Sequence, residues 1–164
     1  MKLHSLFTLL TLMISGTQTV AFAQGNLPTK LEAFTILAQG NESGIEQQRF
    51  ETIKDAVAFQ KLWDLNFQTV SPKPPTPKVD FSNEMVIAAF AGTKSTGGYE
   101  LKLTKINNYS DSLLINLSLL APDGDCMVSG ALTQPFVFVK TLKFTDKPAH
   151  FNLELKTHAC RTIK

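Results

Sequence analysis

The stretch MVIAAFA at residues 85–91 is a nearly continuous apolar run. A short run of this kind is typical of a β-strand whose two faces are both covered. Downstream of it, apolar and polar residues alternate in several further segments, which is the pattern of strands with one buried face. These segments are 99–106, 113–120, 136–139 and 151–155. The second half of the chain therefore predicts a sheet-rich core.

The first half predicts two more strands and one helix. Residues 31–38 have the length and the Phe, Thr and Ile content of a strand, and residues 47–53 indicate a returning strand after a polar turn. The helix is expected near residues 55–67, with Asp55 as its N-cap. Its apolar side chains recur at three- and four-residue spacing and are Ala56, Phe59, Leu62, Trp63 and Phe67. We predict that Trp63 marks the place where the helix lies on the sheet.

Residues 71–77 read SPKPPTP and contain four prolines. Proline fixes its own φ and disfavours helix at the residue before it, so this segment must be extended. It reads as a domain linker, a ligand for a polyproline-binding module, or a stiff connector within one domain. We favour the connector, because the piece before it is too small to fold alone. The fold class predicted is α+β, predominantly antiparallel β in a sandwich or open barrel, with one helix.

The N-terminal segment indicates export. Lys2 precedes an apolar stretch at residues 6–14, and residues 21–23 read AFA, the small-x-small pattern cleaved by signal peptidase. We predict a signal peptide at 1–23 and a single domain at 24–164, periplasmic or secreted, without a transmembrane segment in the mature chain. An uncleaved anchor is the alternative, whereas Gln24 replaces the Cys that a lipoprotein needs. Cleavage removes Lys2 and lowers the formal net charge from +2 to +1, which argues against nucleic acid or an anionic membrane as the main partner.

Cys126 and Cys160 are the two cysteines of the sequence. In an oxidising compartment an even pair of cysteines indicates a disulfide first. The bond would close a loop of about 34 residues, from 126 to 160, and stabilise the fold by about 3.5–4 kcal/mol. A metal site would need His150 and His158 together with Cys160, which is an incomplete zinc shell. A nucleophilic Cys–His pair and two free buried thiols are the remaining alternatives. We predict the Cys126–Cys160 disulfide, with no metal and no cofactor.

A polar, glycine-rich segment separates two of the predicted strands. Its residues are Gly92, Thr93, Lys94, Ser95, Thr96, Gly97, Gly98 and Tyr99. It is not a phosphate-binding loop, which needs Gly directly before Lys and a helix directly after. A hairpin turn explains Gly97 and Gly98, since glycine adopts positive φ without strain, but it does not explain why the tip is so polar.

The sequence predicts no enzyme. After cleavage two histidines remain, His150 and His158, both near the C-terminus. Ser95 or Thr96 would act as a nucleophile only with a histidine within hydrogen-bond reach, and no Gly-x-Ser-x-Gly elbow is present. A hydrolase is therefore the least favoured class.

Several segments resemble the PrcB C-terminal domain family. They are Pro74-Pro75, residues 79–81 (VDF), 84–87 (EMVI), 92–94 (GTK) and 96–99 (TGGY). Residues 132–136, LTQPF, look like that family's Thr-Ser-Pro-Tyr strand start, with departures at Gln134 and Phe136. The resemblance extends over roughly residues 31–155. Family members are named for a subunit of a bacterial surface protease complex, so the resemblance implies a non-enzymatic domain that binds a protein, such as a protease.

A weaker similarity points to a second function. Residues 95–99, STGGY, are similar to the Asn-Pro-Thr-Thr-Gly-Tyr loop of chagasin-type cysteine-protease inhibitors, which are immunoglobulin-like sandwiches, and contain one glycine more than that loop. In both interpretations, loops on a β scaffold make the contact. We therefore predict a partner-binding surface formed by residues 92–99 together with Pro135 and Phe136. The alternative function is inhibition of a protease by the same loop.

Overall fold

The computed structural model describes residues 27–159, which fold into eight strands and one helix. In chain order these are β1 (Lys30–Glu32), β2 (Phe34–Gly40), β3 (Gln48–Ile53), α1 (Ala56–Asn66), β4 (Glu84–Ala91), β5 (Glu100–Asn108), β6 (Leu113–Pro122), β7 (Phe136–Leu142) and β8 (Ala149–His158). The predicted signal peptide at 1–23 lies outside the described residues, so export stays a prediction.

The strands form two four-stranded sheets that pack face to face. The first sheet has the order β1-β5-β6-β8 and the second the order β2-β7-β4-β3. Neighbouring strands are antiparallel, apart from the parallel pair β6 and β8. The predicted fold class, α+β with a predominantly antiparallel sandwich, is confirmed.

Strand β4 is covered on both faces, as its apolar run predicts. Met85, Ile87 and Ala89 belong to the core between the two sheets. Val86 and Phe90 belong to a second core, on the other face of the sheet, where the helix lies. Every residue from 85 to 91 is buried. The molecule is therefore a three-layer stack of helix, sheet and sheet, with β4 in the middle layer.

Helix α1 begins and packs largely as its sequence predicts. The Asp55 carboxylate accepts a hydrogen bond from the Ala58 N–H at 2.8 Å, which caps the first turn. Trp63 is buried, and its ring centroid lies 5.3 Å from that of Phe138 on β7, so this residue does mark the contact with the sheet. Phe59, Leu62 and Phe67 are buried as well, whereas Ala56, in the first turn, is exposed and does not belong to the buried face.

The proline-rich segment runs along the helix. The Trp63 Nε1–H donates a hydrogen bond to the Pro74 carbonyl at 3.0 Å, and Lys73 Nζ lies 2.8 Å from Asp64 Oδ1. The segment begins with a bend at residues 71–72 and contains no helix or strand. These contacts tie it to α1 as a connector within the described fold.

The strand predicted at residues 31–38 is two strands that belong to different sheets. β1 pairs with β5, whereas β2 pairs with β7. The chain changes sheets at Ala33, whose carbonyl accepts a hydrogen bond from the Thr141 hydroxyl at 2.8 Å. Composition indicates extended backbone in both pieces and contains no signal for the change of sheet.

Strand β1 carries a buried carboxylate. Glu32 is 6% exposed, and its Oε1 accepts a hydrogen bond from the Asn108 amide at 2.8 Å. Lys30 Nζ lies 3.1 Å from the other carboxylate oxygen. The hydrogen bond from Asn108 is the largest cause that holds the pKa of Glu32 below its ordinary 4.5. Burial opposes it by raising the pKa, and the hydrogen bond and charge of Lys30 lower it further.

The last strand departs from the antiparallel prediction. The connection from β7 to β8 passes from the second sheet to the first. β8 then enters beside β6 and runs parallel to it, from the pair Leu113–Ala149 to the pair Pro122–His158. A tight turn imposes antiparallel pairing only when both strands stay in one sheet. Here they do not.

Candidate functional site

The glycine loop, residues 92–99, crosses from one sheet to the other. It connects β4 in the second sheet to β5 in the first, so it is not a hairpin turn. Gly92 and Gly98 have positive φ, at 72° and 82°. A Cβ on Gly92 would lie 2.9 Å from the Gln48 backbone nitrogen, so this position needs glycine for its conformation and for space.

A second loop, residues 123–135, holds the glycine loop in place. We call it the long loop. Lys94 and Thr133 form an isolated antiparallel bridge, with N–H···O distances of 2.7 and 3.1 Å. The Gly97 N–H donates to the Ser129 carbonyl at 2.8 Å, and the Thr133 hydroxyl donates to the Thr96 carbonyl at 2.8 Å. The two loops therefore form one hydrogen-bonded unit at one end of the sandwich.

The members of the glycine loop differ in exposure. Thr93, Ser95 and Gly98 are exposed, while Gly92 and Gly97 are buried. The other three, Lys94, Thr96 and Tyr99, are half-buried.

Tyr99 packs against the core between the sheets, and Lys94 Nζ lies 6.0 Å from the centre of its ring. Tyr99 therefore anchors the loop, and Thr93 and Ser95 are the side chains that it presents to solvent.

Pro135 and Phe136 do not form a contact surface. Pro135 is buried, and its carbonyl accepts a hydrogen bond from the Ala91 N–H at 2.8 Å. Phe136 is 3% exposed and its ring lies 5.5 Å from that of Phe67, behind the helix. The sequence placed these residues on the binding surface because they begin a strand beside a loop. The structure shows that Phe136 faces inward there, which corrects that expectation.

Two exposed apolar side chains on the long loop were missed. Met127 is fully exposed, and Leu132 is 66% exposed. Leu132 precedes Thr133, and Met127 lies two residues before Ser129. Thr133 and Ser129 hydrogen-bond to the glycine loop, so Met127 and Leu132 belong to the segment that is held against it. We call Thr93, Ser95, Met127 and Leu132 the paired-loop surface. The signal in the sequence was weak, because apolar residues scattered among turn-forming residues have no periodicity.

Cys126 lies at the start of the long loop, next to the end of β8. Its Sγ is 3.7 Å from the His158 carbonyl oxygen, and the Asp123 N–H donates to the same carbonyl at 3.1 Å. Cys160 lies outside the described residues, so the predicted disulfide stays a prediction. The position of Cys126 brings it beside the strand that leads to Cys160.

The histidines are not joined to the glycine loop. His150 is exposed on β8, opposite Leu114, and His158 stands opposite Pro122. In residues 27–159 no hydrogen bond connects either ring to Ser95 or Thr96. Across the same residues, no group of three or more His, Cys, Asp or Glu side chains is placed to hold a metal ion.

The described part of the chain contains no helix long and apolar enough to cross a bilayer.

Comparison with known proteins finds a family model that matches part of the chain. Residues 85–141 match the family model described as PrcB C-terminal. The matched region begins in β4, ends in β7 and contains both loops of the paired-loop surface. It is narrower than the predicted range of 31–155 and leaves out helix α1. No curated protein and no solved structure matches the chain, and the similarity to chagasin-type inhibitors is not shown. Over residues 85–141, the resemblance to the PrcB C-terminal family is confirmed.

Proposed function

We propose that this chain is an exported, non-enzymatic domain that binds a protein of a protease complex through its paired-loop surface. The observation that supports this most directly is that the family match, residues 85–141, includes both loops and the strands that frame them. The resemblance implies association with a protease complex. The geometry supplies a surface suited to such an association.

The shape of the surface supports binding of a protein. Loops on a β scaffold commonly make recognition contacts, and these two are hydrogen-bonded to each other at four points. A surface held in this way loses little conformational entropy on binding. Met127 and Leu132 offer apolar area, and Thr93 and Ser95 offer hydroxyl groups at its side. Exposed apolar side chains beside polar groups are common in protein interfaces.

The test is retention of proteolytic activity. The chain, immobilised, is incubated with the exported fraction of its source cells, and casein cleavage by the retained material is measured. We expect wild type to retain activity and the double variant Ser95→Arg/Leu132→Asp to lose it. Gln60→Arg, on the exposed face of α1, is the matched control and should behave as wild type. Equal retention by the double variant, or no retention by wild type, would contradict the proposal.

Export is tested separately. N-terminal sequencing of protein recovered outside the cytoplasm should begin at Gln24, and a chain that still begins at Met1 would refute the cleavage. A thiol titration of denatured, unreduced protein should find no free sulfhydryl if Cys126 and Cys160 are joined.

Inhibition of a protease is the second candidate. The exposed position of Ser95 at the tip of the glycine loop favours it, because an inhibitor needs a rigid loop that projects from its scaffold. A papain-like enzyme titrated with the chain distinguishes the two functions. Loss of its activity supports inhibition, and unchanged activity together with retained casein cleavage supports the accessory role.

A further inference from the structure

Strand β8 is a long and regular edge strand. Many edge strands in natural proteins are short, bulged, charged or interrupted by proline, since their free N–H and C=O groups attract other strands. β1 has three residues, and β2 has a register shift between Ile36 and Ala38. β8 has ten residues, contains no proline, and keeps an uninterrupted register with β6. Within residues 27–159, no strand pairs with its other edge.

The hydrogen bonds to β6 show which backbone groups of β8 are free. The Leu113 N–H donates to the Pro148 carbonyl, and the Asp123 N–H donates to the His158 carbonyl. Backbone groups of successive residues in a strand point to opposite edges, so the even-numbered residues of β8 face β6. The free edge therefore presents the N–H and C=O groups of the odd-numbered residues, which are Ala149, Phe151, Leu153, Leu155 and Thr157.

The side chains on β8 are self-complementary. Leu155 is 66% exposed, although it lies on the side of the strand where Phe151 and Leu153 pack into the core. Its neighbours Glu154 and Lys156 carry opposite charges on the outer face and form an ion pair at 3.0 Å, with both side chains about half exposed. A copy of the same strand, turned end for end about Leu155, brings an opposite charge to each of these two residues.

We propose that two copies of this chain associate through β8, paired antiparallel about a two-fold axis at Leu155. In this register Leu155 stands opposite Leu155 of the second copy. Glu154 stands opposite Lys156 of the second copy, and Lys156 opposite its Glu154. The two first sheets then join into one continuous sheet of eight strands. The interface is isologous, as a closed dimer requires.

Charge selects this register over its neighbours. An axis at Glu154 places Glu154 opposite itself, and an axis at Lys156 places Lys156 opposite itself. Like charges directly opposite on a sheet are destabilising, and opposite charges are stabilising. An axis at Leu153 pairs Lys156 with His150, which gives no attraction. The axis at Leu155 is the one that forms two ion pairs across the interface.

The test is the oligomeric state of the full chain by sedimentation equilibrium over a dilution series. We expect a monomer–dimer equilibrium for wild type. Glu154→Lys and Lys156→Glu each turn two attractive pairs into two repulsive ones, so each should weaken the dimer about tenfold or more. The double variant, Glu154→Lys with Lys156→Glu, restores opposite charges and should restore the dimer. Lys102→Glu, on the internal strand β5, is the control and should leave dimerisation unchanged.

Amide exchange tests the register independently of any substitution. Raising the protein concentration should protect the amides of Leu153, Leu155 and Thr157, with no change at Glu154 and Lys156, which already face β6. A monomer at every concentration would overturn the proposal. The free edge of β8 would then be open to pairing with a strand of another protein. Two other results would also overturn it. One is an unchanged dimer dissociation constant in both single charge-reversal variants, and the other is a double variant that is folded by circular dichroism but stays monomeric.

Discussion

The glycine at position 92 allows a quantitative test of how the paired loops are built. Gly92 has a φ of 72°, and a Cβ at this position would lie 2.9 Å from the Gln48 nitrogen and 3.0 Å from the Glu46 carbonyl oxygen. Alanine in the left-handed region costs about 1–2 kcal/mol. The two close neighbours are backbone atoms at the start of β3, which cannot rotate away, and overpacking of this kind costs about 1–3 kcal/mol. We expect Gly92→Ala to lower the free energy of unfolding by about 2–5 kcal/mol.

The measurement is urea unfolding followed by tryptophan fluorescence, because Trp63 lies in the core. Gly124→Ala is the matched control: a Cβ there meets no atom within 4 Å, and Gly124 has no positive φ. This control should stay within about 0.5 kcal/mol of wild type or gain slightly from a less flexible unfolded chain. If Gly92→Ala and Gly124→Ala unfold at the same urea concentration, the steric reasoning about the glycine loop is refuted.

Two further predictions concern the helix side and strand β1. Trp63→Phe removes the hydrogen bond to the Pro74 carbonyl and some of the ring packed on Phe138, and should destabilise the protein by about 1–3 kcal/mol. Urea unfolding is followed here by circular dichroism, since the variant has no tryptophan, and a variant as stable as wild type would show that the proline-rich segment is not held by this contact. The pKa of Glu32 is lowered in the folded state, so its carboxylate stabilises the fold above the unfolded pKa of about 4.5, and this contribution is lost as the pH falls from there through the folded pKa. Glu32→Gln should therefore unfold with a weaker pH dependence than wild type below about pH 4.5, while an equal acid sensitivity of the two proteins would contradict the assignment.

The sequence predicted the elements whose determinants are local. The capping carboxylate of Asp55 and the spacing of the aromatic residues after it specify α1 within a few turns of chain. The run at 85–91 predicts a strand covered on both faces, because the side chains on both of its faces are apolar. The polar glycine loop was recognised from its composition, and the family resemblance within residues 85–141 from its residues.

The sequence did not predict which segments meet. The split of residues 31–38 between two sheets and the parallel entry of β8 beside β6 depend on where distant strands lie, and alternation of apolar residues is the same in either arrangement. The bridge between Lys94 and Thr133, which are far apart in the chain, follows from the same long-range placement. For that reason Phe136 was expected outside and is buried, while Met127 and Leu132 were not expected on the surface that they flank.

The difference between the features that the sequence predicted and those that it did not has a physical cause. Capping and periodicity act over a few residues, so the chain alone determined the helix and the central strand. Positive φ was predicted at Gly97 and Gly98, and the structure has it at Gly98 and at Gly92. Sheet order, the pairing of the two loops and the free edge of β8 are set by which strands bury the most apolar surface against one another. That competition takes place between segments remote in sequence, and only the tertiary structure decides it.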